Sequence, residues 1–313
     1  MNIASINIGT NTVLFLVAEL NLKRKTIKEL YKDFRIPRIG KNLTSKKELA
    51  PDRISELIDI LKYFKSIAKK YNCSKIIAVG TNPFRKAKNR EHIITQIFQE
   101  TGIEIKVLST EEEGKYGYLG SISTTVLEHD KVIVIDIGGS STEISYGIGK
   151  EFINCDSFQI GAVTLTEEIT SSKDIDVSST NIVNDLICNN IMSLTNKYYN
   201  INKIIGIAGT PITLASILLE MKKLDEDTID GKIFNFKQIL SLTEHLCNLT
   251  PCEISIKYPV VLNGREDIIQ SGALILVNIM QVLSVSDLIV STRGICHGLM
   301  TEHLLKISDT YFE

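Results

Sequence analysis

Net charge is almost absent from this chain: 35 Lys and Arg against 37 Asp and Glu leave a formal charge of −2. No global basic field is therefore available to hold a nucleic acid or an anionic membrane. Paired cysteines are missing as well. Cys73, Cys155, Cys188, Cys247, Cys252 and Cys296 are scattered without a CxxC pair or a Cys/His cluster. That argues against a zinc site or a disulfide framework and fits a reducing compartment. The five histidines show no ligand spacing, and no GxSxG, HExxH or Walker A sequence occurs. Acyl hydrolase, zincin and P-loop chemistries are disfavoured accordingly. The longest apolar stretch, 268–283, is interrupted by Gln270, Ser271, Asn278 and Gln281, so it reads as a buried helix rather than a membrane span. The first residues enter a β pattern without a basic segment and apolar run ahead of it, and a cytoplasmic location is expected.

What is present is an ordinary globular composition, 43% hydrophobic and 23% charged, over 313 residues, enough for two cores. Residues 3–19 read as two β runs joined by Gly9-Thr10-Asn11-Thr12, with a further hairpin arm near 27–36. Ile54, Leu57, Ile58, Leu61, Phe64 and Ile67 fall at helical steps. A buried strand at 76–79 ends in Gly80-Thr81-Asn82-Pro83, and a strand at 103–108 leads into a helix opening at Ser109. Ser109 with Glu112 is a capping-box signature.

From Val132 the pattern starts again. Asn7 in INIG matches Asp136 in IDIG, a shift of 136 − 7 = 129, and Gly80 in GTNP matches Gly209 in GTP, a shift of 209 − 80 = 129. A repeat of that length is domain-sized, far longer than a solenoid unit. It implies two similar lobes facing each other across a cleft, with a boundary near 121–129. The expected domains are 1–124 and 125–313, the last helix (about 295–306) having the option of packing back on the first.

Two Gly/Ser/Thr hairpin turns, at 9–12 and 138–142, each followed at equal distance by a Gly-Thr loop, suit an oxyanion. Glycine lets the backbone approach closely, and successive N–H groups and hydroxyls face the ligand. Asp136 ends an apolar strand and suits Mg²⁺, which takes a few carboxylates plus waters and phosphates; Glu143 across the turn offers a second contact. Arg85, just beyond the Gly80-Thr81 loop, has the planar fork that phosphate favours. Glu111, Glu112 and Glu113 open one helix. One caps, and another could orient water for in-line attack, but the residues alone do not choose among them. Gly264-Arg265-Glu266-Asp267 precedes the long buried helix. Between Asn21 and Ala50, ten Lys or Arg stand against three Asp or Glu, a local rim for anions.

These motifs, taken in order, resemble the exopolyphosphatase/guanosine-pentaphosphate phosphatase (Ppx/GppA) family. They are INIGTNT, PRIGKNL at 37–43, GTNPFRKAKN at 80–89, STEEEGKYGYLG at 109–120, IDIGGSSTE at 135–143, AGTPITLA at 208–215, NGREDII at 263–269 and STRGICHG at 291–298. The resemblance implies an α/β fold of two duplicated actin-like (ribonuclease H-like) lobes. Each would carry a mixed five-stranded sheet flanked by helices, with the active site in the cleft between them. It implies removal of terminal phosphate from inorganic polyphosphate or of the 5′ γ-phosphate from guanosine pentaphosphate. Glu113 takes the place of the water-orienting glutamate and Arg85 that of the phosphate-binding arginine. Asp136, Glu143 and Asn7 take the metal-linked places, for Mg²⁺ with Mn²⁺ as the alternative. Gly9, Thr10, Asn11, Thr12, Gly138, Gly139, Ser140, Ser141, Thr142, Gly209, Thr210, Arg38 and Arg265 are the implied phosphate-binding set. No nucleic-acid or membrane partner is expected, and a homodimer is compatible with the family. The chain departs from the pattern at Asn7, where the family has aspartate, at Ser140, where it has glycine, and at Glu266, where it has alanine. Reduced turnover, or binding without turnover, is one expectation from these changes. An ATP-dependent phosphotransferase of sugar-kinase type is another.

Overall fold

The computed structural model describes residues 1–122, 126–171, 180–198, 200–262 and 264–312. The chain divides into two units, 1–120 together with 294–313, and 121–293.

In the first unit β1 (Asn2–Ile8), β2 (Val13–Asn21) and β3 (Thr26–Arg35) form an antiparallel meander, and β4 (Lys75–Gly80) and β5 (Ile105–Val107) add in parallel to β1. The order is β3-β2-β1-β4-β5. Alternation along β1 sends Ala4, Ile6 and Ile8 into one core, where they meet Leu57, Leu61 and Phe64 of the Pro51–Lys70 helix. That helix starts with Pro in its first turn and ends in Lys69 and Lys70, both matched to its backbone and dipole. The other face of β1 is also apolar and must be covered. Ile3, with Leu16, Ala18 and Leu20 of β2, packs on Cys296, Met300 and Leu304 of the Ile295–Phe312 helix. The last helix thus belongs to the first unit. A split into 1–124 and 125–313 cuts the chain once, whereas burial of this second sheet face brings its end back.

In the second unit β6 (Lys131–Ile137), β7 (Thr142–Ile148) and β8 (Glu151–Phe158) repeat the meander, and β9 (Lys203–Ile207) and β11 (Asp287–Val290) follow in parallel. A short strand, β10 (Ile233–Asn235), pairs antiparallel with β11, so the order β10-β11-β9-β6-β7-β8 has six strands where five were expected. Every residue from Ile269 to Met280 of the Ile269–Val282 helix is buried. Its polar members are paired, as buried polar groups must be. Gln270 Nε2 donates to the carbonyls of Leu246 and Leu249, both at 2.8 Å, and Asn278 Nδ2 donates to Asn184 Oδ1 at 2.9 Å.

Strand register tests the duplication residue by residue. Asn7 stands opposite Leu14 and Asp136 opposite Glu143, so the hairpins are related by 129 on both strands. Beyond them, Asn7 pairs with Val79 and Asp136 with Ile207, and 207 − 79 = 128. GTP is one residue shorter than GTNP, and the two loops therefore align on their prolines, Pro83 and Pro211, rather than on their glycines.

Candidate active site

The first hairpin turn closes with Gly9 N donating to Thr12 O at 3.0 Å. Its next two carbonyls are taken from outside: Gly40 N donates to Thr10 O at 2.9 Å and Arg38 N to Asn11 O at 3.1 Å. Because each peptide is planar and trans, this points the N–H groups of Asn11 and Thr12 the opposite way. Gly40 lies so close to the Thr10 side chain that a Cβ there would overlap Thr10 Cγ2. Arg38 holds its place with φ +51°, the left-handed region that costs a non-glycine residue energy.

The second turn has the same closure, Gly138 N to Ser141 O at 3.0 Å. Here the start of the Ala162–Ser171 helix takes the outer carbonyls: Ala162 N donates to Gly138 O at 3.0 Å and Val163 N to Gly139 O at 2.7 Å. A Cβ on Gly161 would sit 2.6 Å from backbone atoms of Gly139, Ser140 and Ser141, so this glycine is the seat of the turn. Ser140 and Ser141 are buried. Thr142 Oγ1 donates to Ile160 O at 2.6 Å, which commits that hydroxyl to bracing the hairpin. Asp136 and Glu143 face each other across β6 and β7 on the side opposite the Ile133, Ile135 and Ile137 core. Glu143 is buried, and its Oε1 accepts from Ser157 Oγ at 2.9 Å.

The three glutamates separate by environment. Glu111 is exposed. Glu112 completes the capping box, accepting from Ser109 N at 2.9 Å while its own N–H donates to Ser109 Oγ at 3.1 Å, and it pairs with Lys106. Glu113 is buried, and Arg85 Nη1 donates to its Oε2 at 2.6 Å. Burial pushes the Glu113 carboxyl above the usual carboxylate range, with Arg85 and a hydrogen bond from Thr81 acting against it. The same Nη1 donates to Leu108 O at 3.1 Å. A guanidinium has five N–H donors, and those on Nε and Nη2 of Arg85 meet no acceptor among the described residues.

Gly209 and Thr210 open the Gly209–Leu218 helix behind Ala208, whose φ of 68° and ψ of −165° suit glycine rather than alanine. Arg265 lies against this turn, and a Cβ on Gly209 would stand 2.5 Å from its Nε. Burial lowers the Arg265 guanidinium to about 10, offset by Glu226, so it stays charged at neutral pH. Thr210 is buried beneath Gly272 of the long helix. Glu266 is half-buried, and Asn263 lies outside the described residues. Three contributors escaped the sequence reading. Thr81 carried a signal in the Gly80-Thr81 loop; Ser157 and Ala208 carried none in residue type or spacing.

The sequence pattern of the Ppx/GppA phosphatase family matches residues 17–307. The chain belongs to this family. It is 31% identical over 310 residues to the bifunctional 3-dehydroquinate synthase/phosphatase of Fusobacterium nucleatum, a match covering 96% of this chain and 46% of that protein. Exopolyphosphatase 2 of Mycobacterium tuberculosis is 23% identical over 316 residues, with 95% and 97% covered. The guanosine-5′-triphosphate,3′-diphosphate pyrophosphatase of Photobacterium profundum is 24% identical over 307 residues, with 97% and 59% covered. The chain thus spans about half the length of the first of these relatives and nearly all of the second. A solved Ppx/GppA family member from Aquifex aeolicus superposes with a TM-score of 0.83 at 27% identity, covering 98% of each chain. Family membership accounts for the order of the motifs and for the duplicated α/β meander that carries them. Among the described residues, no helix is long and apolar enough to cross a membrane.

Among the described residues no group of three or more His, Cys, Asp or Glu converges as a metal cluster. Mg²⁺ does not need one, since it binds through one or two carboxylates and fills its octahedron with waters and phosphate oxygens. The Asp136–Glu143 pair fits that requirement. In the first unit, Asn7 Oδ1 is the one buried side-chain polar atom among the described residues that has no hydrogen-bond partner. An orphaned acceptor in that position costs roughly 1–3 kcal/mol, and a water or cation beside it would satisfy it.

Proposed function

We propose that the chain is a phosphohydrolase that cleaves a terminal phosphoanhydride by attack of water. The half-used guanidinium of Arg85 on the buried Glu113 carries this reading. A terminal phosphate accepts from Nε and Nη2 of Arg85, whose Nη1 keeps Glu113 in place. Glu113, raised by burial, is poised to orient the attacking water and take its proton. The N–H groups of Asn11 and Thr12, on the hairpin turn of the same unit, hold non-bridging oxygens. In the second unit, Asp136 and Glu143 would hold a Mg²⁺, which would supply neutralising charge to phosphate oxygens at that unit's own turn. Phosphoryl transfer asks for little more than such positioning and charge stabilisation. Family membership and the exopolyphosphatase and pyrophosphatase relatives support the same chemistry.

The test is phosphate release from long-chain polyphosphate and from guanosine pentaphosphate, with and without Mg²⁺, for wild type and Glu113→Ala. Metal-dependent release that falls by about 10²–10⁴ in the variant is expected, the range a positioned proton acceptor contributes. Binding of both compounds by wild type without release of phosphate would overturn the reading in favour of a phosphate-binding protein, the outcome that Asn7 and Ser140 would then explain.

A further inference from the structure

Three strands of the second unit set three polar side chains in one row. Asp136 on β6 stands opposite Glu143 on β7, and Glu143 stands opposite Ser157 on β8. Opposed residues of a ladder share a face, and this one is turned away from the core of Ile133, Ile135, Ile137 and Phe158. The equivalent row of the first unit is Asn7, Leu14 and Phe34. The fold itself therefore does not call for a carboxylate and a hydroxyl at these places. Two carboxylates directly opposite each other repel, and Glu143 is buried, where an uncompensated charge is costly. A cation beside the pair removes that penalty, provided the flexible glutamate side chain is held toward it. Ser157 Oγ donates to Glu143 Oε1 at 2.9 Å and supplies such a hold.

A β-bulge decides which residue meets Glu143. Tyr146 pairs with Asn154 but Gly147 with Phe152, so Ile153 is an extra residue on β8. Counted from the β7–β8 turn without it, Asp156 would stand opposite Glu143 and put a third acid in the row, because a slip of one residue turns every side chain to the other face. With it, Asp156 pairs with Ile144 on the core side, where it accepts from Tyr198 Oη at 2.6 Å and forms an ion pair with Lys197. Ser157 then takes the place opposite the glutamate. Thr142 Oγ1, donating to Ile160 O at 2.6 Å, ties the same two strands one step further on. The bulge belongs to the fold, since the first meander has it between Val17 and Ala18, and 146 − 17 = 129. In the second unit it brings a hydroxyl donor onto a buried carboxylate.

We propose that Ser157 is a positioning residue: its hydroxyl holds Glu143 in the rotamer that a divalent cation shared with Asp136 requires. This rests on the reading of Asp136 and Glu143 as the pair that would hold Mg²⁺, and it concerns binding of the ion rather than turnover. The experiment titrates the whole chain with Mn²⁺, an oxygen-seeking ion whose free form is counted by its paramagnetic resonance. Four proteins are compared: wild type, Ser157→Ala, Ser157→Thr and Cys155→Ala. Loss of a hydrogen bond that orients a metal-binding side chain weakens affinity by about 10- to 100-fold, and that is the loss expected for Ser157→Ala. Ser157→Thr keeps the hydroxyl and should restore binding. Cys155→Ala lies on the same face of β8, one row away opposite Ser145, and should bind as wild type does. Added Mg²⁺ should displace Mn²⁺ from each protein that binds it. Equal weakening in Cys155→Ala, or no recovery in Ser157→Thr, would overturn the role in favour of a general loosening of β8. Wild-type affinity in Ser157→Ala would overturn the role of Ser157 alone and leave the acidic pair standing. A wild type that takes up no Mn²⁺ would overturn the metal reading of the pair and this role with it. Phosphate release is read on the same samples, so an inactive wild type counts against hydrolysis while the Mn²⁺ titrations still decide the role of Ser157.

Discussion

Arg85→Met tests the buried pair most directly, because it leaves Glu113 in place without its cation. The Glu113 side chain is 9% exposed and that of Arg85 19%, so little solvent screens the pair at 2.6 Å. Removing one partner of such a pair costs about 3–5 kcal/mol when the remaining charge stays buried. That cost depends on pH, since Glu113 can escape it by protonating. Burial raises its folded-state pKa above the unfolded value of about 4.3, and loss of Arg85 raises it further. Between the unfolded and folded values the native state binds the extra proton, so stability is highest below the unfolded pKa and falls as pH rises through the folded one. We expect Arg85→Met to melt near wild type at pH 4 and roughly 6–12 °C lower at pH 8, taking about 3 kcal/mol and the usual 2–4 °C per kcal/mol for a unit of this size. Arg85→Met/Glu113→Gln should recover most of the loss at pH 8, because no buried charge is left. Thermal melts of the three proteins across pH give the answer. A destabilisation that is the same at pH 4 and pH 8, or a double variant no better than the single, would refute the buried-pair account.

Two further outcomes follow from the packing. Gly161→Ala should displace the 138–141 turn, because its Cβ would come within 2.6 Å of that turn's backbone. We expect a loss of about 1–3 kcal/mol, as for overpacking, together with weakened phosphate affinity, read by denaturant melts and by titration with inorganic phosphate. Glu302 accepts from Lys115 at 2.7 Å, Tyr116 at 2.9 Å and Lys306 at 2.8 Å, and these partners overcome its partial burial to hold its carboxyl down at about 2. Its contribution is present above the unfolded value near 4.3 and is lost as pH falls toward 2. Glu302→Gln should therefore cost about 1–2 kcal/mol at pH 7, after allowance for screening, and progressively less as pH falls through about 2, as acid titration of stability would show.

Much of the fold was legible because its signals are local. Helical spacing from Ile54 to Ile67 falls within the Pro51–Lys70 helix, and Ser109 with Glu112 forms the capping box its sequence announces. The 129-residue shift of the hairpins survives in the strand register, since a turn and its two strands are specified by contiguous residues. The shift fails by one at the Gly-Thr loops, where strand pairing and the two prolines take precedence over a matched dipeptide. The strand read at 103–108 shrinks to Ile105–Val107, the part that pairs with β4.

By itself, then, the sequence determined the duplicated α/β architecture, the positions of the two Gly/Ser/Thr hairpin turns and the family, all of them carried by motifs of a few neighbouring residues. Only the tertiary structure decided which of three adjacent glutamates is buried on Arg85, 28 residues away in sequence. It alone returned the last helix to the first unit, through contacts such as Ser5 Oγ to Cys296 O at 3.2 Å, 291 residues apart. It also divided the basic stretch between the tip of the β2–β3 hairpin and the segment 38–49, where Lys88 N donates to Lys47 O at 2.9 Å. Each of these depends on which side chains meet after the sheet faces are covered, and burial of that kind is a property of the packed chain rather than of any segment in it.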